Sequence, residues 1–126
     1  MKVLLTIIFW TALFPFDNGV ELDCKAFKTG KFKLIDTDQE YIIVRNDTIQ
    51  IEEDLKKKTI SKFKVTWVSE CEYDLDILEG REEALNFFKG KTLSIKILET
   101  FDKGYKYEAK LKGTEIKLIH SVERVD

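Results

Sequence analysis

The stretch KVTWVSECEYDLD, residues 64–76, alternates apolar and polar side chains on both sides of a short connection. Val65 and Trp67 alternate with polar residues before the connection. Tyr73 and Leu75 alternate with acidic residues after it. Because successive side chains of a strand point to opposite faces, each half has one apolar and one polar face. The pattern predicts an antiparallel β-hairpin whose apolar face is buried.

The polar face of this hairpin is acidic, with Glu72, Asp74 and Asp76 on the same side. Clustered carboxylates can act in glycoside hydrolysis or hold Ca²⁺, so a weak cation site or a protein-binding face is one interpretation. We favour an ordinary charged sheet surface, because lysines of the preceding strand oppose the acids and such cross-strand pairs stabilise sheets. A connection at residues 68–70 predicts the pairs Trp67 with Cys71, Val65 with Tyr73, Phe63 with Leu75, Lys64 with Asp74 and Lys62 with Asp76.

A second hairpin is predicted over EYIIVRNDTIQIEE, residues 40–53. Asn46 and Asp47 both tolerate the left-handed backbone of a two-residue hairpin turn. On the face that we predict to be buried, this turn pairs Val44 with Ile49 and Ile42 with Ile51. On the opposite face it pairs Arg45 with Thr48, Ile43 with Gln50 and Tyr41 with Glu52.

Strand patterns dominate the chain after its first residues. Together with the two strands of residues 40–53, they comprise the runs 29–35, 60–69, 71–78, 92–100, 104–111 and 114–122, which makes eight. This spacing predicts an all-β fold, a small antiparallel up-and-down β-barrel, with a β-sandwich as the alternative. Residues 81–88 interrupt the pattern and predict a short helix or loop that either plugs one barrel end or forms a lid at a ligand portal.

The side chains predicted to face the barrel interior are mostly bulky, which favours a filled core. A barrel of eight strands either fills with side chains or holds one small ligand, so a partial pocket lined by aromatic residues is the alternative. The predicted inward residues are Phe32, Leu34, Ile42, Val44, Phe63, Val65, Trp67, Tyr73, Leu75, Leu93, Ile95, Ile97, Tyr105 and Tyr107.

The first residues predict export. Lys2 precedes an almost wholly apolar run, residues 3–16, that is too short to span a bilayer of about 30 Å and is typical of a secretory signal. We predict a signal peptide over residues 1–19, one β-barrel domain over residues 20–126, and a secreted or periplasmic location. Asp23 precedes Cys24, which does not suit a lipoprotein signal, so no stable membrane anchor is expected.

The two cysteines, Cys24 and Cys71, predict a disulfide bond. In an oxidising compartment an even pair is most simply a disulfide, and only one pairing exists here. A metal site built on two cysteines would need further ligands, and His120 is the one histidine of the chain. We therefore predict neither a metal site nor a cofactor.

Charge and motifs argue against several classes of function. The net charge of −2 does not predict nucleic-acid binding, where a basic face supplies most of the affinity. Gly90-Lys91-Thr92 resembles the end of a P-loop, but Leu85 stands where that motif needs glycine. His120 lies beside Ser121 without a nucleophile-elbow motif, which argues against a Ser-His-acid triad. We predict that the protein is not an enzyme.

Three segments, CKAFKTGKF (24–32), RNDTIQIEE (45–53) and WVSECEYDLD (67–76), resemble a family of small exported proteins from bacteroidete bacteria. In that family a Cys precedes an F-K-T-G-K-F segment, and W-x-S-x-C-E-Y follows further along the chain. Some relatives carry the label DNA topoisomerase IV, but this chain has no ATPase or DNA-cleavage motif. In architecture the chain is also similar to lipocalin-like proteins, with Gly30-Lys31-Phe32 in place of their G-x-W segment.

These observations predict a non-catalytic exported domain that binds a small apolar or amphipathic ligand. The alternative is a structural or protein-interaction domain with a filled core, no ligand and an unknown protein partner. We expect a monomer. The candidate ligand-binding residues are aromatic: Trp67, Tyr73, Phe87, Phe88 and Tyr105.

Overall fold

Residues 21–125 are described in the computed structural model, where they form a closed barrel of eight antiparallel strands. Each strand pairs with the next along the chain, and β8 pairs with β1. This confirms the predicted up-and-down barrel. The predicted signal peptide, residues 1–19, lies outside the described residues, as do residues 20 and 126. The strands are β1 (Gly30–Leu34), β2 (Tyr41–Arg45), β3 (Ile49–Asp54), β4 (Thr59–Ser69), β5 (Glu72–Glu79), β6 (Leu93–Thr100), β7 (Gly104–Leu111) and β8 (Lys117–Arg124).

The two barrel ends differ because the connections alternate between them. At the disulfide end lie the start of β1 and the connections β2–β3, β4–β5 and β6–β7. At the helix end lie the connections β1–β2, β3–β4, β5–β6 and β7–β8. The connection between β5 and β6 contains the one α-helix of the described residues, α1 (Glu82–Phe88).

A 3₁₀ turn, Cys24–Phe27, closes the disulfide end. Cys24 and Cys71 form the predicted disulfide, with a sulfur–sulfur distance of 2.01 Å. Phe27 is buried, and its ring centroid lies 5.6 Å from that of Tyr105 inside the barrel. The disulfide thus joins this plug, residues 24–28, to the hairpin of β4 and β5. The bond also indicates an oxidising, non-cytoplasmic compartment.

Helix α1 lies over the other end. Glu82 and Glu83 occupy its first turn, where the helix dipole favours negative charge. The ring of Phe88 packs edge-on against Phe63 of β4, with centroids 5.4 Å apart. The segment 81–88, predicted as a short helix or loop, is therefore a short helix. Within residues 21–125, no helix has the length and apolar character needed to cross a bilayer.

The prediction for the hairpin of β2 and β3 is wrong in register and in face. Arg45 pairs with Gln50, because the side chain of Asn46 accepts hydrogen bonds from the amides of Thr48 and Ile49 and makes the connection longer than two residues. Val44 then pairs with Ile51.

The buried face of β2 is the one that carries Tyr41, Ile43 and Arg45. Ile43 and Arg45 are buried, whereas Val44 is 44% exposed. Ile42 points outward with Val44. Both residues were predicted to face the interior, and that prediction is wrong. The run YIIV has no alternation that distinguishes its two faces. Because Arg45 is charged, its face was assigned to the outside of the barrel.

The hairpin of β4 and β5 has the predicted faces but a different register. Trp67 pairs with Tyr73 and Val65 with Leu75. The register shifts between Trp67 and Ser69, next to the connection between the two strands. Four of the five predicted pairs are therefore shifted by two residues on β5. The pair of Lys62 is shifted by three, from Asp76 to Glu79, because a second irregularity lies between Lys62 and Phe63.

The shift also changes the charge pairs on the outer face. Asp74 contacts Lys112 at 3.0 Å rather than Lys64, and Lys62 contacts Glu79 at 3.7 Å rather than Asp76. The acids of the opening stretch nevertheless lie on the outer, charged face, as predicted.

Candidate ligand cavity

The barrel contains a cavity of about 310 Å³ toward its helix end. The strands contribute inward side chains to its wall, and α1 contributes Phe87 and Phe88. The disulfide end of the barrel is instead filled by the packed side chains around Phe27 and Phe32. Most of the wall is apolar, including Leu75, Leu93, Ile95, Ala109, Leu111 and Leu118.

The structure brings four of the five predicted ligand-binding residues together. Tyr73, Phe87, Phe88 and Tyr105 line the cavity. Trp67 lies outside it, toward the disulfide end. The Trp67 ring packs on Tyr73 with centroids 4.6 Å apart, and the guanidinium carbon of Arg45 lies 5.9 Å from the Trp67 ring centre. Trp67 therefore packs against the wall residue Tyr73 but does not itself line the cavity.

Several polar residues of the wall were missed by the sequence prediction. Tyr41, Gln50 and Glu52 face the cavity. All three lie on the face of the β2–β3 hairpin that was predicted to be outside. The sequence carried no signal for this face, because Ile42, Ile43 and Val44 make both faces of β2 apolar and the polar residues were assigned to the outside.

Arg45 is a buried cation at the boundary between the plug and the cavity, and it is 2% exposed. A guanidinium has five N–H donors, and each one is used here. Burying this charge is tolerable because the donors are fully hydrogen-bonded. The acceptors are the Phe27 carbonyl (2.7 Å), the Lys28 carbonyl (3.0 Å), Gln50 Oε1 (2.9 Å), Tyr73 Oη (3.0 Å) and Tyr105 Oη (2.9 Å).

Gln50 connects this cation to the carboxylate of Glu52. Gln50 accepts from Arg45 through Oε1 and donates through Nε2 to Glu52 Oε2 at 2.8 Å. Burial raises the pKa of the Glu52 carboxyl above its ordinary value, although the Gln50 hydrogen bond and the charge of Arg45 both oppose the rise. The result is a polar chain that runs from the plug to the cavity wall.

Tyr73 and Tyr107 of the cavity wall act as neutral hydrogen-bonding groups. Burial raises the pKa of Tyr73 well above its ordinary value, and burial also raises the pKa of Tyr107. The hydroxyls of Tyr73 and Tyr105 lie 3.2 Å apart. Phenols whose pKa is raised stay protonated at neutral pH, so Tyr73 and Tyr107 donate and accept hydrogen bonds without carrying charge.

His120 and Asp36 form a polar contact at the edge of the cavity. Nδ1 of His120 lies 3.1 Å from Asp36 Oδ1, and Asp36 Oδ2 accepts the Ser121 amide at 3.0 Å. His120 and Ser121 are neighbours on β8, so their side chains point to opposite faces of the sheet. Asp36 therefore ties the first connection to β8. Within residues 21–125, no three His, Cys, Asp or Glu residues are grouped as a metal ion would require.

No protein-family model matches the chain, and neither a curated protein nor a solved structure matches it.

Proposed function

We propose that the protein is an exported, non-catalytic binding protein that holds one small apolar or amphipathic molecule inside its barrel. The observation that supports this most is the cavity of about 310 Å³ with a mainly apolar wall. Ligand sites have volumes of about 300–1,000 Å³, and an eight-stranded barrel has room for one small ligand. The volume therefore suits one small molecule.

The wall supplies both the apolar contacts and the hydrogen-bonding groups that an amphipathic ligand needs. Side chains such as Leu75, Ile95 and Leu118 would remove the apolar part of the ligand from water, which contributes about 25 cal/mol per Å² of buried apolar surface. Gln50 and Glu52 offer hydrogen-bonding groups on the same wall. A ligand with an apolar chain and one polar end would satisfy both parts.

The position of α1 supports entry at the helix end. Among the residues of α1 none is buried, and Phe87 is 49% exposed while it lines the cavity. A helix with no buried residue can move away at lower cost than a strand of the closed sheet. The disulfide end, by contrast, is covalently plugged.

Export is supported by two independent features. The Cys24–Cys71 disulfide requires an oxidising compartment, and the apolar run of residues 3–16 is typical of a secretory signal. The resemblance to small exported bacteroidete proteins points the same way. We infer a periplasmic or secreted location.

Filling the cavity tests the binding function. Ala109 is buried on the cavity wall, so Ala109→Leu adds volume where the ligand would lie. With the uncharged fluorescent probe N-phenyl-1-naphthylamine, we expect binding by the wild-type protein and a loss of at least about tenfold in Ala109→Leu, which corresponds to about 1.4 kcal/mol.

Lys110→Leu is the matched control, because it adds the same side chain to the exposed face one residue along β7. It should bind the probe like the wild type, and thermal unfolding should show that both variants fold. Equal probe affinity in Ala109→Leu and the wild type would reject the cavity as the binding site. Native mass spectrometry of the purified protein should also detect a retained small molecule.

A second candidate, a protein-interaction domain, is favoured by the outer face of β2, β3 and β4. Val44 and Ile51 pair across strands there, and Ile60 is 57% exposed. A photo-reactive phenylalanine analogue at position 60 should cross-link a discrete protein if this face has a partner. The exposed position 110 is the control, and identical cross-linking patterns at both positions would contradict the candidate.

A further inference from the structure

The charged groups of the barrel interior differ in their access to the cavity. Glu52 lines the cavity, whereas Arg45 lies behind Gln50 and the rings of Tyr73 and Tyr105. The nearest charge that a bound molecule would meet is therefore that of a carboxylate. This arrangement bears on the chemical class of the ligand.

Arg45 cannot serve as the partner of an acidic ligand in this arrangement. All five of its N–H groups already donate to protein oxygens, at distances of 2.7–3.0 Å. A ligand carboxylate would have to displace one of these acceptors and leave it unpaired inside the barrel, which is costly. It would also lie beside the like charge of Glu52.

Glu52 has the opposite property. Gln50 occupies its Oε2 atom, and the carboxylate borders the cavity, so the group can accept a further hydrogen bond from a ligand. A hydrogen bond between an ammonium group and a carboxylate is about twice as strong as a neutral one. Tyr41, Tyr107 and His120 also border the cavity and can hydrogen-bond to the same end of a ligand.

We propose that Glu52 anchors the polar end of the ligand and that the cavity selects amphipathic amines over alcohols and carboxylic acids of the same chain length. This proposal rests on the proposed binding function. The ammonium group would lie at Glu52, and the alkyl chain would lie against the apolar wall formed by Leu75, Leu93 and Ile95.

A homologous ligand series tests the selection. Binding of octylamine, 1-octanol and octanoate to the purified protein is measured by calorimetry at neutral pH, where the amine is protonated. We expect octylamine to bind at least about tenfold more tightly than 1-octanol, and octanoate to bind most weakly.

Two variants assign that preference to one carboxylate. Glu52→Gln keeps the shape of the side chain and should reduce the amine affinity to that of the alcohol, while the alcohol affinity stays unchanged. Glu53→Gln removes a carboxylate from the next position of β3, which points to the other face of the sheet, and should keep the preference. Circular dichroism checks that both variants fold.

The outcomes separate the two proposals. If 1-octanol binds and octylamine binds no more tightly, or if Glu52→Gln keeps the amine preference, the anchor role is overturned and the binding function stands. Tighter binding of octanoate than of octylamine would likewise overturn the anchor role. If none of the three molecules binds, and N-phenyl-1-naphthylamine does not bind either, both proposals are rejected.

Discussion

The guanidinium of Arg45 and the side-chain carbonyl of Gln50 lie 2.9 Å apart on directly paired positions of β2 and β3. This contact joins the two halves of the barrel interior. On one side Arg45 holds the carbonyls of Phe27 and Lys28 in the plug, and on the other side Gln50 holds Glu52 at the cavity wall. The plug and the cavity wall thus share one hydrogen-bond network.

Replacing Arg45 should destabilise the fold strongly. Arg45→Met keeps an apolar stem but leaves the Phe27 carbonyl, the Lys28 carbonyl and Gln50 without their donor. Removing one partner from a buried charged network costs about 3–5 kcal/mol, and we expect a loss of that size in the free energy of unfolding measured with urea.

Arg81→Met is the matched control, since the Arg81 side chain is exposed and forms a surface ion pair with Glu83 at 3.4 Å. Surface changes of this kind usually alter the free energy of unfolding by no more than about 0.5 kcal/mol. Similar urea midpoints for Arg45→Met and the wild type would show that the network does not stabilise the barrel.

The strand order and the disulfide could be predicted because each depends on local or unique information. Residues 104–111 alternate apolar and polar side chains between clear turns, and β7 has those bounds. The two cysteines allow a single pairing in an oxidising compartment. Neither prediction required knowledge of distant contacts.

The polar half of the cavity could not be predicted, because burying Arg45 depends on acceptors far away in sequence. Tyr73 and Tyr105 lie 28 and 60 residues from Arg45, and their hydroxyls are what make its inward position tolerable. A local pattern contains no sign of them, so an arginine on a strand is assigned to the outside. Glu52 lies on the same face of the hairpin as Arg45, so it too was assigned to the outside.

Reducing the disulfide should loosen the plug and lower the stability of the barrel. Cys24 and Cys71 are 47 residues apart, and the loop-entropy model gives about 4 kcal/mol for closing a loop of that length. We expect Cys24→Ser/Cys71→Ser to lose roughly that amount in urea unfolding. A free-thiol assay on the denatured, unreduced wild type should find no thiols, and two thiols would contradict the bond.

Stability should depend on pH through Glu52. Its pKa is raised in the folded protein by burial, so the folded state holds the proton more tightly than the unfolded chain. Below the ordinary pKa of about 4.3 both states are protonated and burial has no cost. As pH rises from there through the raised pKa, the folded carboxylate becomes charged and the free energy of unfolding falls.

Glu52→Gln has no such carboxyl, so its stability relative to the wild type should increase between pH 4 and pH 7. The charges that act on Glu52 from neighbouring positions, chiefly Arg45, are the same in both proteins. Glu53→Gln reports the effect of net charge alone. A difference between Glu52→Gln and the wild type that is constant with pH, or that shrinks as pH rises, would contradict the prediction.

Among the glycines of residues 21–125, Gly104 should tolerate substitution least. It pairs with Glu123 of β8, and a Cβ atom at this position would lie 1.9 Å from the Val122 carbonyl oxygen. Gly104→Ala must therefore push β7 away from β8, and overpacking of this kind costs about 1–3 kcal/mol or more. Gly113→Ala provides the comparison, because Gly113 has a φ of +81° and no heavy atom within 4 Å of its Cβ position.

The Gly113→Ala variant should lose only the cost of a left-handed backbone, about 1 kcal/mol. In thermal unfolding we expect Gly104→Ala to have the lower midpoint of the two. Because the clash acts on the β7–β8 pairing, amide exchange should also be faster at Tyr105 and Val122 in Gly104→Ala than in Gly113→Ala. A midpoint for Gly104→Ala at or above that of Gly113→Ala would contradict the prediction, because it would mean that the β7–β8 pairing accommodates the added methyl group without loss of stability.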